Sequence, residues 1–425
     1  MLDVTKKMLD SSVSRFIFAT TEGWLINGGS GTQYGHVAVV EAASGSSVNV
    51  VEQNWSCNGR HTFDRSRARC ILSVPIVIGD ASDPASLRKL AENTRVILTT
   101  VGPYWEHGKE LARAAALSGT DYCDLTGETT FWRWLLDNVE ADAKRTGARL
   151  VPSAGFDSIP SDLGVKMLAD YARDQHGKKL AQTRLVMLRS KGGVSGGTLA
   201  SALGIADLAR KDPSVRKLLR DPYALSPDRA RELANDGPDP MSVRHDTEFD
   251  VWTAPFVMGA INTRVVRCSN ALVNHAYGKG FSYAEWMSFG PGARGYATAA
   301  AANVALVAFL GAAMLPPTRA LLQRMLPGSG EGPSESVRNS GFFKIAIAAH
   351  MEGGGPLLVA RIEGKKDPGY GETAKMISET AIALASTKGD GGVWTTATAL
   401  GDSLLHRLQR AGMTFLVEER EPASM

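Results

Sequence analysis

Between Val74 and Gly164 the chain repeats one unit: a short β-branched run, a turn of glycine, proline or acidic residues, and a stretch of helical periodicity. The runs are Val74–Ile78, Val96–Thr100, a short one in DYCDL, and Arg149–Pro152. Helical stretches begin at Asp83-Pro84, run from about His107 to Ser118, and run from Thr129 to Thr146. The apolar runs are short and almost uninterrupted, as in strands buried on both faces of a parallel sheet. A parallel pair needs a crossover, and right-handed strand-helix-strand units are the common solution. The pattern therefore predicts an α/β fold with its ligand loops at the carboxyl ends of the strands, in Gly79–Asp83, Thr100–His107 and Ser153–Asp162.

Bulk properties remove several function classes. The net charge is +3 over 425 residues, with no Lys/Arg run interleaved with aromatics, so nucleic acid is not expected as a partner. Cys57, Cys70, Cys123 and Cys268 form no C-x-x-C pair, so neither a metal site nor a disulfide framework is indicated. The first residues show no apolar core followed by a small-residue cleavage site, and an intracellular setting is the expectation. Residues 296–315 carry no charge and, as a helix, would extend roughly 30 Å, about a bilayer's hydrocarbon thickness. Two readings stay open for them: burial, under a sheet or in a homodimer interface, and contact with a membrane or lipid droplet.

The first 70 residues follow a different pattern. GTQYGHVAVVEAASGSSVNVVEQNW, residues 31–55, alternates apolar and polar residues around a Gly/Ser turn, the period of an antiparallel hairpin. GGSGTQYG at 28–35 has the spacing of a phosphate loop, but the sequence continues as a strand from His36 where a helix is required. The hairpin resembles the C-terminal half of a CHAP amidohydrolase domain. The resemblance makes His36 a general base and Glu52 or Asn54 its orienting group. No cysteine precedes Cys57 to act as nucleophile.

Further along, TTVGPYWEHG, GTDYCDLTGE, GFDSIPSDLG, GGVSGGT, APFVMGAINTRVVRCSNAL, GEGPSESVRNSGFF and GGVWTTATALG occur in order. Together they resemble the saccharopine dehydrogenase-like oxidoreductases, and most closely the trans-acting enoyl reductases, over about residues 74–417. The resemblance implies a Rossmann-like dinucleotide domain at 71–184, a second α/β substrate domain at 185–390, and a return to the first at 391–425. It also implies NADP(H) or NAD(H) as cofactor and a lipid-like acyl or polyketide-derived substrate. Asp80, Thr100, Gly102, Pro103, Gly155 and Phe156 are then the cofactor-facing residues, and GGVSGGT is a wall of the substrate site. Tyr104, Glu128 and Asp157 are the candidate proton donors. Members of the family begin with a strand, a G-x-T-G-x-x-G turn and a second strand, which this chain lacks. The sheet is thus expected to be truncated, with exposed strand edges and weak NADPH binding. A cofactor-free structural or membrane-associated homologue and a CHAP-type cysteine amidase are the alternative readings.

Overall fold

The computed structural model of the chain describes residues 15–20, 36–41, 83–193, 196–232, 236–325 and 333–421. Its strands, in chain order, are β1 (Arg15–Thr20), β2 (His36–Glu41), β3 (Val96–Thr100), β4 (Asp121–Asp124), β5 (Arg149–Val151) and β6 (Leu180–Lys191). They continue with β7 (Arg244–Asp246), β8 (Val251–Pro255), β9 (Ser282–Ser288), β10 (Phe342–Met351), β11 (Leu357–Gly364), β12 (Gly392–Val393) and β13 (Thr414–Arg420). Two sheets result, ordered β12-β5-β4-β3-β1-β2 and β13-β11-β10-β6-β9-β8-β7.

The first sheet is parallel from β12 through β5, β4 and β3 to β1, as the sequence pattern predicts for Val96–Thr100 and Arg149–Pro152. Both faces are covered, and neighbouring residues divide between them. Val96, Leu98, Cys123 and Val151 pack into one core, and Ile97, Tyr122 and Leu150 into the other. Strand side chains alternate faces, so each uninterrupted apolar run feeds two cores. Asp83 caps the helix Pro84–Glu92 by accepting from the Ala85 amide at 3.0 Å. The helix expected from about His107 runs from Lys109 to Ser118, preceded across Gly108 by the short helix Tyr104–His107, and the one expected over Thr129–Thr146 is broken in two at Val139.

Other expectations are corrected. The edge of β3 is not exposed, because β1 pairs with it in parallel from Phe16↔Val96 to Thr20↔Thr100. A strand from the N-terminal segment thus stands mid-sheet. The His36 strand, β2, joins the same sheet antiparallel to β1, and the second strand of the expected hairpin lies outside the described residues. Val74–Ile78, Asp80, Glu52 and Asn54, together with the side chain of His36, lie outside the described residues. The last segment divides between the sheets: β12 extends the first, whereas β13 pairs with β11 in the second. β6, which begins five residues before residue 185, belongs wholly to the second sheet. Burial under a sheet, one of the readings of residues 296–315, is ruled out, since only 11 % of the apolar stretch in the helix Gly292–Met314 is buried.

The helix Ile159–His176 couples the two layers. It leaves the carboxyl end of β5 and lies across β11 and β10, where a Cβ on Gly164 would stand 2.5 Å from Ile362 Cδ1 and 2.6 Å from Ile347 Cδ1. Only glycine lets helix and sheet approach so closely.

Arg149, 4 % exposed, ties β5 to the helix Thr373–Ser386. Its guanidinium pairs with Asp121 and donates to Thr387 Oγ1 at 3.0 Å and to the Leu384 carbonyl. Arg149→Met is expected to destabilise the fold by about 3–5 kcal/mol, because it leaves Asp121 as a largely buried, unpaired charge. Urea denaturation measures this; a loss under about 1 kcal/mol would mean that the pair behaves as a solvent-screened one.

Candidate functional site

The carboxyl ends of β3, β4 and β5 lie side by side, and their loops carry most of the residues singled out in the sequence. After β3 comes a cis Gly102-Pro103 peptide and the short helix Tyr104–His107. Thr100, Gly102 and Pro103 form a half-buried rim there. Gly155 is buried and fixed by packing, since an added Cβ would meet Leu125 Cδ2 at 2.7 Å and Thr373 Cγ2 at 3.1 Å. Phe156 donates its amide to Thr373 Oγ1 at 3.1 Å and sets its ring edge-on to Phe343, 4.9 Å between centroids. These two residues join the β5 loop to the second layer.

The three candidate proton donors separate by their hydrogen bonding. The Tyr104 hydroxyl is buried; it donates to the Thr99 carbonyl at 3.3 Å and accepts from the Leu125 amide at 3.1 Å. Burial, reinforced by nearby Asp124, holds its pKa well above the usual phenol value. Glu128 is also buried. Its Oε1 accepts from the Tyr104 amide at 2.8 Å and from Ser201 Oγ at 2.7 Å, and its Oε2 accepts from the Trp105 amide at 2.8 Å. Those amides are orphan donors of a helix start, so Glu128 works as a cap supplied from 23 or 24 residues away. Burial raises its pKa, and the three donors oppose the rise.

Asp157 has neither kind of partner. No hydrogen bond or ion pair involves its carboxyl group among the described residues, and burial alone lifts its pKa to about 6. It does not cap the helix that follows, because the N-cap Ser158 makes no side-chain capping bond either. Oδ2 lies 3.9 Å from where a Cβ on Gly127 would be, a point also 3.7 Å from Met258 Cε. The group therefore lies beside Gly127 of the β4 loop and Met258, all three half-buried, and these strand-end loops form the candidate cleft.

Asp124, not singled out in the sequence, organises the floor of this cleft. Fully buried at the end of β4, it accepts from Tyr122 Oη at 2.8 Å, the Thr126 amide at 2.9 Å and the Ser153 amide at 3.0 Å. Burial pushes its pKa up to about 7. Its place at a strand's carboxyl end, inside GTDYCDLTGE, was the available signal. Ser153, with φ 58°, donates from Oγ to the Thr126 carbonyl at 2.5 Å and accepts from Trp132 Nε1 at 2.7 Å. Of GGVSGGT, Gly192 and Gly193 run against Asp367, whose Oδ2 accepts the Gly193 amide at 2.8 Å. Neither has a positive φ; space is what they provide. The motif leads into the helix Gly196–Lys211, which covers the β3 and β4 loops through Ser201.

The chain is 42 % identical over 361 residues to a Mycobacterium tuberculosis protein whose name, trans-acting enoyl reductase, is provisional, covering 80 % of this chain and 84 % of that one. It is 40 % identical over 357 residues to the trans-acting enoyl reductase of Mycobacterium ulcerans, with the same coverage. The chain belongs to the trans-acting enoyl reductase family. It is an oxidoreductase of mixed α/β architecture. No protein-family profile matches it. Among solved structures, apo saccharopine dehydrogenase (L-Glu forming) from Saccharomyces cerevisiae aligns over 80 % of this chain and 88 % of that one, with 11 % identity and a TM-score of 0.43.

The raised pKa of Asp157 has a measurable consequence. Between its usual value of 3.8 and about 6 the native state holds a proton that the unfolded chain has released, so stability falls as pH rises through that window. Asp157→Asn removes this contribution. The variant should match the wild type near pH 4 and exceed it by about 2 kcal/mol at pH 8, a figure reduced for partial solvent access. Urea unfolding at the two pH values checks it, and equal differences at both would show that the carboxyl is not desolvated.

Proposed function

We propose that the chain is an NAD(P)H-dependent enoyl reductase acting on an acyl or polyketide-derived lipid, with Asp157 as the proton donor. The observation that supports this reading is Asp157 itself. It is a carboxyl group at the carboxyl end of a strand, raised by burial to a pKa of about 6 so that roughly a tenth of it is protonated at pH 7, and no neighbour among the described residues occupies its proton. Reduction of a carbon-carbon double bond conjugated to a carbonyl adds hydride at the β carbon and a proton at the α carbon. A dihydronicotinamide supplies the hydride in this chemistry. Asp157 holds the proton at its carboxyl oxygen and delivers it on the other side of the bond. Glu128 and Tyr104 act through the backbone: they fix the Gly102-Pro103 turn so that the rim, with Gly102 at its centre, faces the cofactor's ribose.

The described residues suit the nicotinamide end of the cofactor. Thr100, Gly102 and Pro103 line the strand ends, and Gly102 leaves room for close approach. A pyrophosphate needs backbone amides at a helix start, and the segment between β1 and β2, residues 21–35, lies outside the described residues. The G-x-T-G-x-x-G turn of the family is absent from the sequence. Losing two charge-assisted hydrogen bonds of roughly 1.5–3 kcal/mol each weakens binding by a few hundredfold or more. Calorimetry with NADPH should accordingly give a dissociation constant in the high micromolar range or weaker. A low micromolar constant would mean that GGSGTQYG supplies the anion site.

The catalytic assignment is tested separately, by following dihydronicotinamide absorbance with a long-chain 2-enoyl thioester at saturating cofactor. Asp157→Asn is expected to lower kcat by about 10²–10⁴ while leaving cofactor affinity unchanged. An unchanged kcat would remove Asp157 from the chemistry.

A further inference from the structure

The helix Thr129–Asn138 begins beside Asp157 with its donors unfilled. The amide of its N-cap, Glu128, donates to Thr126 Oγ1 at 3.1 Å. The next three amides, of Thr129, Thr130 and Phe131, have no partner among the described residues, and the first turn holds no acidic side chain. Glu128 does not cap them, because its carboxylate is committed to the Tyr104 and Trp105 amides and to Ser201. Such a bare start of a ten-residue helix carries partial positive charge.

Two side chains add to the deficit. Thr129 is 4 % exposed and Thr130 3 %, and neither hydroxyl makes a hydrogen bond among the described residues. Thr130 Oγ1 is closed off from solvent as well. A threonine hydroxyl inside a helix commonly bonds the carbonyl four residues back. For Thr130 that is the Thr126 carbonyl, which instead accepts from Ser153 Oγ at 2.5 Å. Helical Cα–Cβ bonds tilt toward the N-terminus, so the Thr130 hydroxyl stands at the same end as the free amides. Native proteins rarely leave buried donors unpaired, and a group of them at a strand-end cleft marks a place for an oxygen ligand. Gly127, two residues before the helix, is the residue beside which Asp157 Oδ2 lies.

We infer that this helix start receives the carbonyl oxygen of the substrate and stabilises the negative charge that forms on it. The inference rests on the enoyl reductase reading and adds to it the site of the oxyanion. Hydride arrives at the β carbon with its electron pair. The π pair of the carbon-carbon double bond moves between the α carbon and the carbonyl carbon, and the carbonyl π pair moves onto oxygen, giving an enolate. The free amides and the Thr130 hydroxyl meet that charge where it develops. As the oxygen re-forms the carbonyl, the enolate's carbon-carbon pair takes the proton of Asp157, which is left as a carboxylate and regains a proton from water. The α carbon and the carbonyl carbon are bonded to each other, so proton donor and oxyanion site have to be neighbours. Asp124 and Glu128 also stand at this end of the helix. They disfavour a permanently charged phosphate or carboxylate, whereas a thioester carbonyl enters neutral.

Thr130→Val keeps the side-chain shape and removes the hydroxyl. With a long-chain 2-enoyl thioester at saturating cofactor it is expected to lower kcat by about 10²–10³ with little change in KM. The loss should be equal at every pH, unlike that of Asp157→Asn, and Thr130→Ser should restore most of the rate. The melting temperature should be unchanged or higher, because the free protein loses no hydrogen bond. A readout without turnover is isotope-edited infrared spectroscopy of a bound saturated acyl thioester. Its carbonyl stretch should shift to lower frequency in the wild type and less in Thr130→Val. The inference is overturned if the wild type reduces the thioester and Thr130→Val keeps its kcat, or if the two proteins shift the carbonyl equally. A markedly lower melting temperature for Thr130→Val would also overturn it, by showing that the hydroxyl has a structural partner. A wild type that reduces no enoyl thioester at all is a separate result: it removes the enoyl reductase reading, and this inference with it.

Discussion

The carboxylate of Asp162 fastens three segments that are far apart in the sequence. It accepts from Ser269 Oγ on the helix Gly259–Leu272, and from Thr396 Oγ1 at 3.0 Å and the Ala397 amide at 2.7 Å on the C-terminal segment. It is fully buried, and burial raises its pKa against the pull of its donors. A buried carboxylate is tolerated only where its lone pairs are filled, so the three segments must converge before the site is stable. Five residues upstream stands Asp157. The position of the candidate proton donor is thus set by a bond network that spans the chain from residue 162 to residue 397.

A second network reinforces the first. Glu285 on β9 accepts from Ser161 Oγ at 2.7 Å, Tyr283 Oη at 2.8 Å and Asn262 Nδ2 at 2.9 Å. Ser161 and Asp162 are neighbours on one helix turn, so that turn is anchored to the second sheet through one side chain and to the C-terminal segment through the other. Together with the close approach at Gly164, these bonds fix the helix Ile159–His176 in both direction and height. A cleft at the strand ends then acquires a wall from the second layer, with Met258 opposite Gly127.

Local signals in the sequence were enough for the parallel strands and for the Asp83 cap, because a strand's apolar run and a helix cap each depend on a few neighbouring residues. The break at Val139 and the short helix ahead of Gly108 were less accessible. A Cβ on Gly108 would lie 2.9 Å from the Tyr104 carbonyl and 3.1 Å from the Phe131 ring, and nothing nearby in sequence encodes Phe131 as its neighbour. Glu128 read as a candidate donor since carboxylates at strand ends often are; its capping partners lie on another loop. The split of the last segment between β12 and β13 was hidden for the same reason, as strand partners are chosen by the sheets and not by the strands' own residues. β1, RFIFAT, has the β-branched and aromatic content of a strand, but its place beside β3 depends on the whole sheet.

Five buried or half-buried carboxyls surround or support the cleft: Asp124, Glu128, Asp157, Asp162 and Glu285. Desolvation raises the pKa of every one of them. Four are opposed by two or more hydrogen-bond donors, which favour the charged form and commit the oxygens to holding backbone or side chains in place. Asp157 alone has only the desolvation. A group whose oxygens are committed to structure cannot exchange a proton without loosening that structure, whereas an uncommitted one can. The same lack of partners that makes Asp157 a cost to stability above pH 6 is what leaves its proton available to a ligand, so stability and reactivity at this position are set by one physical cause.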